Sequence, residues 1–234
     1  YIDFAIYAIL FSVIGARLYY VAFSWDYYGK HPAEIINIRQ GGLAIYGGVI
    51  GAVITCLIYT HLKKISFYKV TDTAIYGLIL GQIIGRWGNF FNREAFGGVT
   101  SDSNPLAMRI YFGEQYHVSQ VPDVVREGME TWKGKSLTEI GYIQVQPTFL
   151  YESLWNLALL ILMLVFRKKK KFDGEIMLWY LIGYGIGRAI IEGMRTDQLL
   201  MPVTGWPVSQ VLSIIVAVIA LVWVVTKRAI IAKK

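Results

Sequence analysis

Six long apolar stretches constrain this chain more than any other feature of its sequence. A helix that crosses a lipid bilayer needs roughly 20 mostly apolar residues, and these stretches approach or reach that length. They are Phe4–Phe23, Gly42–His61, Thr73–Phe91, Pro147–Phe166, Ile176–Ile191 and Pro207–Thr226. Only 17% of the residues are charged, whereas an average soluble chain carries about 25%. The sequence therefore predicts an all-α integral membrane protein, a polytopic helical bundle with six visible spans.

The loops between these stretches are of two kinds, which alternate along the chain. Short loops rich in Lys and Arg follow the second, fourth and sixth stretches. Longer loops of mixed charge cover Ser24–Gln40, Asn92–Gln146 and Gly193–Trp206. Because cytoplasmic loops are enriched in Lys and Arg, the basic loops are expected inside and the longer loops outside. The net charge of +7 then reflects membrane topology, and we expect no nucleic-acid partner.

The longest loop is predicted to form a small outward-facing cap. Its alternating stretches Met108–Phe112 and Tyr142–Val145 favour short strands. We divide the chain into transmembrane helices at 1–96, an extracytoplasmic cap at 97–146 and transmembrane helices at 147–234. The chain enters an apolar stretch almost at once, so we expect a seventh span before its first residue. The single cysteine, Cys56, argues against a disulfide framework and a cysteine-based metal site, and we expect no metal and no cofactor.

Several polar groups lie inside the apolar stretches, where ionisable side chains are costly and mark functional sites. The rise of an α-helix places them roughly 20 to 26 Å from the inner ends of their stretches. They are Arg17, Tyr46, Arg86, Glu152, Arg188 and Glu192. Since the hydrocarbon core is about 30 Å thick, all of them are expected near the outer headgroups. A guanidinium fork fits phosphate, so the pattern predicts an outward-open pocket for an anionic lipid head.

The alternative is that these charges only pair with one another and tie helices together. Arg188 and Glu192 are four residues apart, the spacing of an ion pair on one helix face. For Arg17 the sequence favours neither interpretation. For Arg86, Glu152 and Arg188 the shared depth favours the lipid site.

The segment Gly85–Gly97 carries the most specific motif in the chain. It reads GRWGNFFNREAFG and resembles the signature Gly-Arg-x-Gly-Asn-Phe-x-Asn-x-Glu-x-x-Gly of bacterial prolipoprotein diacylglyceryl transferases. Every defined position of that signature is matched. Further motifs in family order are GGLAIYGG at 41–48, QPTFLYE at 146–152 and GIGR at 185–188, with Glu192, Arg195 and Asp197. The resemblance covers nearly the whole chain.

The resemblance implies a fold and an activity. Family members are seven-span proteins of the bacterial cytoplasmic membrane with an outward-facing active site. They transfer the diacylglyceryl group of phosphatidylglycerol to the lipobox cysteine in the signal peptide of a prolipoprotein. A thioether forms and glycerol phosphate leaves, as the first step of lipoprotein maturation. The expected partners are therefore phosphatidylglycerol, a prolipoprotein signal peptide and the surrounding membrane lipids, with no cofactor.

Matching the chemistry to the motifs gives a set of candidate site residues. The arginines would stabilise the departing phosphate, and one of three glutamates would take the thiol proton, although the sequence does not choose among them. The catalytic candidates are Arg86, Arg188, Glu94, Glu152, Glu192 and Tyr46. The substrate-binding candidates are Arg86, Asn89, Asn92, Gly41, Gly42, Gly97, Tyr151, Arg195 and Arg17.

Two of these assignments leave alternatives open. Asn89 and Asn92 fit hydrogen bonding to the lipid head and helix capping equally well. Tyr46 stands where many family members carry a histidine, although Gram-positive relatives share the tyrosine. With a reference pKa of about 10, tyrosine is a poor base at neutral pH, so we expect Tyr46 to donate a hydrogen bond to the substrate.

Overall fold

The computed structural model describes residues 2–39, 41–113, 116–202 and 204–233. Six long helices dominate these ranges, and the remaining helices and strands are short. In chain order the elements are α1 (Ile2–Phe23), α2 (Trp25–Tyr28), α3 (Ile45–Lys63), α4 (Phe67–Asn92), β1 (Met108–Tyr111), α5 (Asp123–Lys133), α6 (Leu137–Ile140), β2 (Tyr142–Val145), α7 (Thr148–Phe166), α8 (Glu175–Glu192) and α9 (Val208–Ala232). Each of the six apolar stretches thus forms a helix, which confirms the all-α prediction.

Four of the six long helices are apolar enough over their length to cross a membrane. These candidate spans are Ile2–Phe23, Ile45–Lys63, Thr148–Lys169 and Val208–Ala232. Only 17% to 28% of each apolar window is buried inside the protein, so most of these apolar surfaces are left for lipid. The predicted spans in α4 and α8 are helical but more polar, because α8 carries Glu175, Arg188 and Glu192 and α4 carries Arg86.

The chain forms two compact units, Tyr1–Thr73 and Ala74–Lys234. In the first unit α1 packs along α3 through small residues. A Cβ atom on Gly15 would lie 2.5 Å from the carbonyl oxygen of Gly47, so the backbones meet with no room for a side chain. Such close approach is how helices associate in lipid, where burial of apolar surface gives little driving force.

In the second unit α8 lies between α7 and α9. Its Ile176 and Tyr180 pack with Met163 of α7 in one buried cluster, and its Leu178 packs with Ala220 and Val224 of α9 in another. At the basic end Arg228 of α9 forms an ion pair with Glu175, which is fully buried. These contacts fix α8, the helix that carries Arg188 and Glu192.

The region predicted as a cap has its own apolar core. Strands β1 and β2 pair antiparallel, with Met108 opposite Val145 and Tyr111 opposite Tyr142, which confirms the short strands expected there. Helix α5 buries Val125 and Met129 against this pair. The segment between α4 and α7 therefore folds around an apolar core of its own.

Candidate active site

Three helices bring opposite charges together where α4 ends, α7 begins and α8 ends. Glu152 lies in the first turns of α7 and is only 3% exposed. Its Oε1 atom lies 2.8 Å from Nη2 of Arg86 on α4, and its Oε2 atom accepts a hydrogen bond of 3.0 Å from Nη1 of Arg188 on α8. One buried carboxylate thus holds two guanidinium groups side by side, and we call these three residues the arginine cluster.

The cluster continues beyond the end of α8. Nη2 of Arg188 lies 2.6 Å from Oε2 of Glu192, the predicted pair at four-residue spacing, and Arg195 lies 3.5 Å from the same oxygen. Arg195 also forms a bidentate salt bridge with Asp197, in which both N–O distances are 2.9 Å. Burial, the largest single influence, lowers the pKa of Arg195, but the Asp197 and Glu192 carboxylates together raise it above its ordinary value. Arg195 therefore stays charged beside the cluster.

On the other side the cluster continues through the signature motif. Nη1 of Arg86 donates to Oδ1 of Asn89 at 3.2 Å. The side-chain amides of Asn89 and Asn92 both donate to Oε1 of Glu94, at 3.0 and 3.1 Å. The two asparagines thus hold a carboxylate in place at the end of α4. Glu94 is exposed, and among the described residues it is paired with no cation, in contrast to Glu152 and Glu192.

The turn that presents Glu94 is held in an unusual backbone conformation. Arg93 and Ala95 on either side of it both have φ of +57°, in the left-handed region that costs a non-glycine residue about 1–3 kcal/mol. The flanking contacts offset this cost, since Arg93 donates to the carbonyl of Tyr111 at 3.1 Å and Thr148 donates to the carbonyl of Ala95. This backbone conformation fixes the direction in which the side chain of Glu94 points.

Gly97 and Tyr151 do not belong to this network of charged contacts. The backbone N–H of Gly97 donates to the carbonyl of Gln146 at 3.0 Å, and Gly97 pairs with Arg195 in a short bridge. A Cβ atom at this position would lie 3.0 Å from the carbonyl of Met194. Gly97 therefore joins the signature segment to the chain after α8, and Tyr151 is partly exposed on α7.

Arg17 lies in the first unit and is only 7% exposed. Its guanidinium group donates to backbone carbonyls of the loop between α2 and α3. The acceptors are Glu34 and Ile35, each at 2.7 Å, Gly42 at 2.9 Å and Gly41 at 3.1 Å. The ring of Tyr28 lies 5.0 Å from the guanidinium carbon. Because the hydrogen bonds of this guanidinium group already go to loop carbonyls, the geometry favours a structural role for Arg17 over lipid binding.

The hydrogen bonds from Arg17 to the loop, which we call the Arg17 anchor, leave no room for a side chain at Gly42. Its φ is +75°, and a Cβ atom would collide with Nη1 of Arg17. We expect Gly42→Ala to lower the free energy of unfolding by about 2–4 kcal/mol, since it adds backbone strain and displaces a buried charged donor. Thermal unfolding of the purified protein measures the effect.

Gly41→Ala is the matched control for Gly42→Ala. Gly41 has φ of +86° but open space where its Cβ would lie. It should show only the backbone cost of about 1–2 kcal/mol. If the two substitutions destabilised the protein equally, the collision with Arg17 would not account for the effect of Gly42→Ala.

Tyr46, the remaining catalytic candidate, lies in the first turn of α3 and its side chain is 41% exposed. Its predicted role as a hydrogen-bond donor stays a prediction. In the part of the chain that the structure describes, no group of three His, Cys, Asp or Glu side chains is arranged to hold a metal ion.

Three residues of interest lie outside the predicted site. Asp197 belongs to one of the family motifs, but the motif does not predict its bidentate salt bridge with Arg195. Asn156 is a buried amide and Gln82 a partly buried one, each four residues from a cluster member. A signal for them exists in the sequence, since amides are rare in apolar helices and a four-residue spacing puts them on the same face.

Comparison with known proteins gives the same description for the family model and for the relatives. Residues 1–226 match the model of the family described as prolipoprotein diacylglyceryl transferase. Relatives named phosphatidylglycerol–prolipoprotein diacylglyceryl transferase from Bacillus cytotoxicus and Bacillus mycoides are 43% and 42% identical over 229 residues. A relative of the same name from Bacillus anthracis is 42% identical. Each of these alignments covers 97% of this chain and 76% of the relative.

Proposed function

The chain belongs to the prolipoprotein diacylglyceryl transferase family, and from this premise we propose that the arginine cluster is its catalytic centre. The protein transfers the diacylglyceryl group of phosphatidylglycerol to a prolipoprotein. The acceptor is the thiol of the lipobox cysteine, and the product is a thioether. The observation that carries this proposal is the pair of arginines from α4 and α8, held together by the buried Glu152 at 2.8 and 3.0 Å.

The leaving group explains why two arginines are needed. The cysteine sulfur attacks the glyceryl carbon that bears the phosphate, a C–S bond forms and the C–O bond breaks. The electron pair of that C–O bond stays on the phosphate oxygen, so glycerol phosphate leaves with an additional negative charge. Arg86 and Arg188 are placed to stabilise this charge, because fixed cations in a water-poor site act strongly where charge develops. Glu152 and Glu192 position the two arginines.

The proton of the thiol needs an acceptor. A free cysteine has a pKa of about 8.5, so little thiolate is present at neutral pH. Of the three glutamates, Glu152 and Glu192 are each engaged by two arginines. Glu94 is exposed and is held only by neutral amides, and it therefore takes the proton as general base.

Several of the remaining candidates bind or orient the substrate. Asn89 and Asn92 position Glu94 through their amides, and the side-chain oxygen of Asn92 accepts a hydrogen bond from the lipid head. Tyr46 keeps its predicted role as a hydrogen-bond donor to the substrate, a role that rests on its place in the motif at 41–48. Arg195 adds positive charge beside the departing phosphate, and Tyr151 lines the path by which the substrate reaches the arginine cluster.

The site faces outward from the bacterial cytoplasmic membrane in this proposal. The support is the charge pattern, because the basic segments after α3, α7 and α9 mark cytoplasmic ends. The signature end of α4 then lies at the opposite face, where the lipobox of an exported prolipoprotein becomes accessible. The signal sequence is itself an apolar helix, so the acceptor enters from the membrane.

A transfer assay tests the function directly. The purified protein is mixed with phosphatidylglycerol and a lipobox peptide, and the peptide is followed by mass spectrometry. We expect one diacylglyceryl unit to be added to the peptide, with release of one glycerol phosphate for each thioether formed. A peptide with serine in place of the lipobox cysteine is the control and should gain nothing. Absence of the thioether product from the cysteine peptide would overturn the proposal.

A further inference from the structure

A second polar layer lies one helical turn away from the arginine cluster, deeper in the helices. On α4 it is Gln82, four residues before Arg86, and on α7 it is Asn156, four residues after Glu152. On α8 it is Tyr184, four residues before Arg188. A spacing of four keeps each pair on one helix face, so the three faces that form the cluster also carry this second layer. We call Gln82 and Asn156 the inner amides.

Contacts between the helices show that these faces meet at this level. Nε2 of Gln82 on α4 donates to the hydroxyl of Tyr180 on α8 at 2.8 Å. The hydroxyl of Ser153 on α7 donates to the carbonyl of Ile83 on α4 at 3.1 Å. The inner amides therefore lie among α4, α7 and α8, as the arginine cluster does.

The inner amides have unused hydrogen-bonding groups. Asn156 is 0% exposed, and neither its Nδ2 nor its Oδ1 atom has a hydrogen-bond partner. The Oε1 atom of Gln82 is also buried and without a partner. Leaving a buried amide unpaired costs roughly 1–3 kcal/mol, and such groups are rare in native proteins. A guest that forms hydrogen bonds with these three atoms would remove this cost.

The unused atoms restrict the chemistry of that guest. Two are acceptors and one is a donor, so the guest must donate and accept hydrogen bonds. Hydroxyl groups do both, whereas an ammonium head only donates and an ester carbonyl only accepts. A pair of neighbouring hydroxyls matches the two acceptors and the donor together.

We propose that the inner amides form a subsite for the hydroxyl groups of the glycerol head of the lipid substrate. This inference rests on the proposed function, which places the phosphate of that lipid beside Arg86 and Arg188. One helical turn, about 5.4 Å, separates the two layers and is within reach of a three-carbon glycerol unit attached to the phosphate. The head glycerol then lies on the inner side of the arginines, and the reacting glyceryl carbon lies on the side of Glu94. The inner amides thus select lipids with a polyol head.

Inhibition by fragments of the substrate tests the subsite. Glycerol 1-phosphate carries the phosphate and both hydroxyls, whereas methyl phosphate carries the phosphate alone. In the transfer assay with the full chain, Asn156→Leu should raise the inhibition constant of glycerol 1-phosphate about tenfold, as expected for losing one to two hydrogen bonds. The constant for methyl phosphate should change less than about twofold, since no hydrogen bond to it is lost. Ser153→Ala, at a buried position on the same helix whose hydrogen bond is already used, should leave both constants unchanged.

Thermal unfolding separates a binding role from a structural one. Since Asn156 has no protein partner for its amide, Asn156→Leu should raise the unfolding midpoint while fragment discrimination falls. A lower midpoint, or equal changes in both inhibition constants, would overturn the subsite. If wild-type protein forms no thioether at all, the proposed function fails, and calorimetric binding of the same two fragments then decides the subsite alone.

Discussion

Replacing Arg86 with alanine is expected to lower the rate of diacylglyceryl transfer by about 10²- to 10³-fold. That is the typical loss when one fixed donor to a developing negative charge is removed. Arg188→Ala should have an effect of the same size, because both guanidinium groups are held by the same carboxylate, Glu152. The measurement is the initial rate of thioether formation on a lipobox peptide at saturating phosphatidylglycerol.

Two further variants show whether charge or geometry matters at Arg86. Arg86→Lys keeps the charge but loses the planar fork, and we expect it to retain more activity than alanine while staying well below wild type. Arg126→Gln breaks a surface arginine–carboxylate pair in the same unit, with Asp123, and should leave transfer near the wild-type rate. An Arg86→Ala protein with an unchanged unfolding midpoint and an unchanged rate would rule out the proposed role.

The helices and much of the site can be predicted from the sequence alone. The length of the apolar stretches predicts all six long helices, and depth along each helix predicts that Arg86, Glu152 and Arg188 lie at one level. Both predictions depend on simple rules, since lipid demands long apolar helices and tolerates charge only where it is paired or used. The short strands in the region predicted as a cap follow from their alternating pattern.

The partners of these charges cannot be predicted in the same way. Glu152, Glu192 and Glu94 are equivalent as sequence, and only their contacts separate two arginine-bound carboxylates from one held by amides. Arg17 has the depth of a lipid ligand, yet a loop distant in sequence wraps its guanidinium group. Long-range backbone acceptors of this kind leave no pattern in the residues that surround the arginine.

Glu94→Gln is expected to lower transfer at pH 7 by about 10²- to 10⁴-fold, the range for loss of a positioned general base. Glutamine keeps an oxygen that accepts hydrogen bonds from Asn89 and Asn92, so the turn should fold normally. The effect should shrink as pH rises toward the thiol pKa of about 8.5, because the peptide then supplies thiolate without help. The measurement is the ratio of wild-type to variant rates from about pH 6.5 to about pH 9, a range that spans this pKa.

The pH dependence distinguishes a base from a positioning residue. If Glu94 only orients Asn89, and through it Arg86, the loss in Glu94→Gln should be the same at every pH. Glu127→Gln, at an exposed glutamate on α5, provides the control for a change of one surface charge and should follow the wild-type profile. A ratio that falls with pH for Glu94→Gln alone would identify the carboxylate as the proton acceptor, because raising the thiolate fraction can replace only that step.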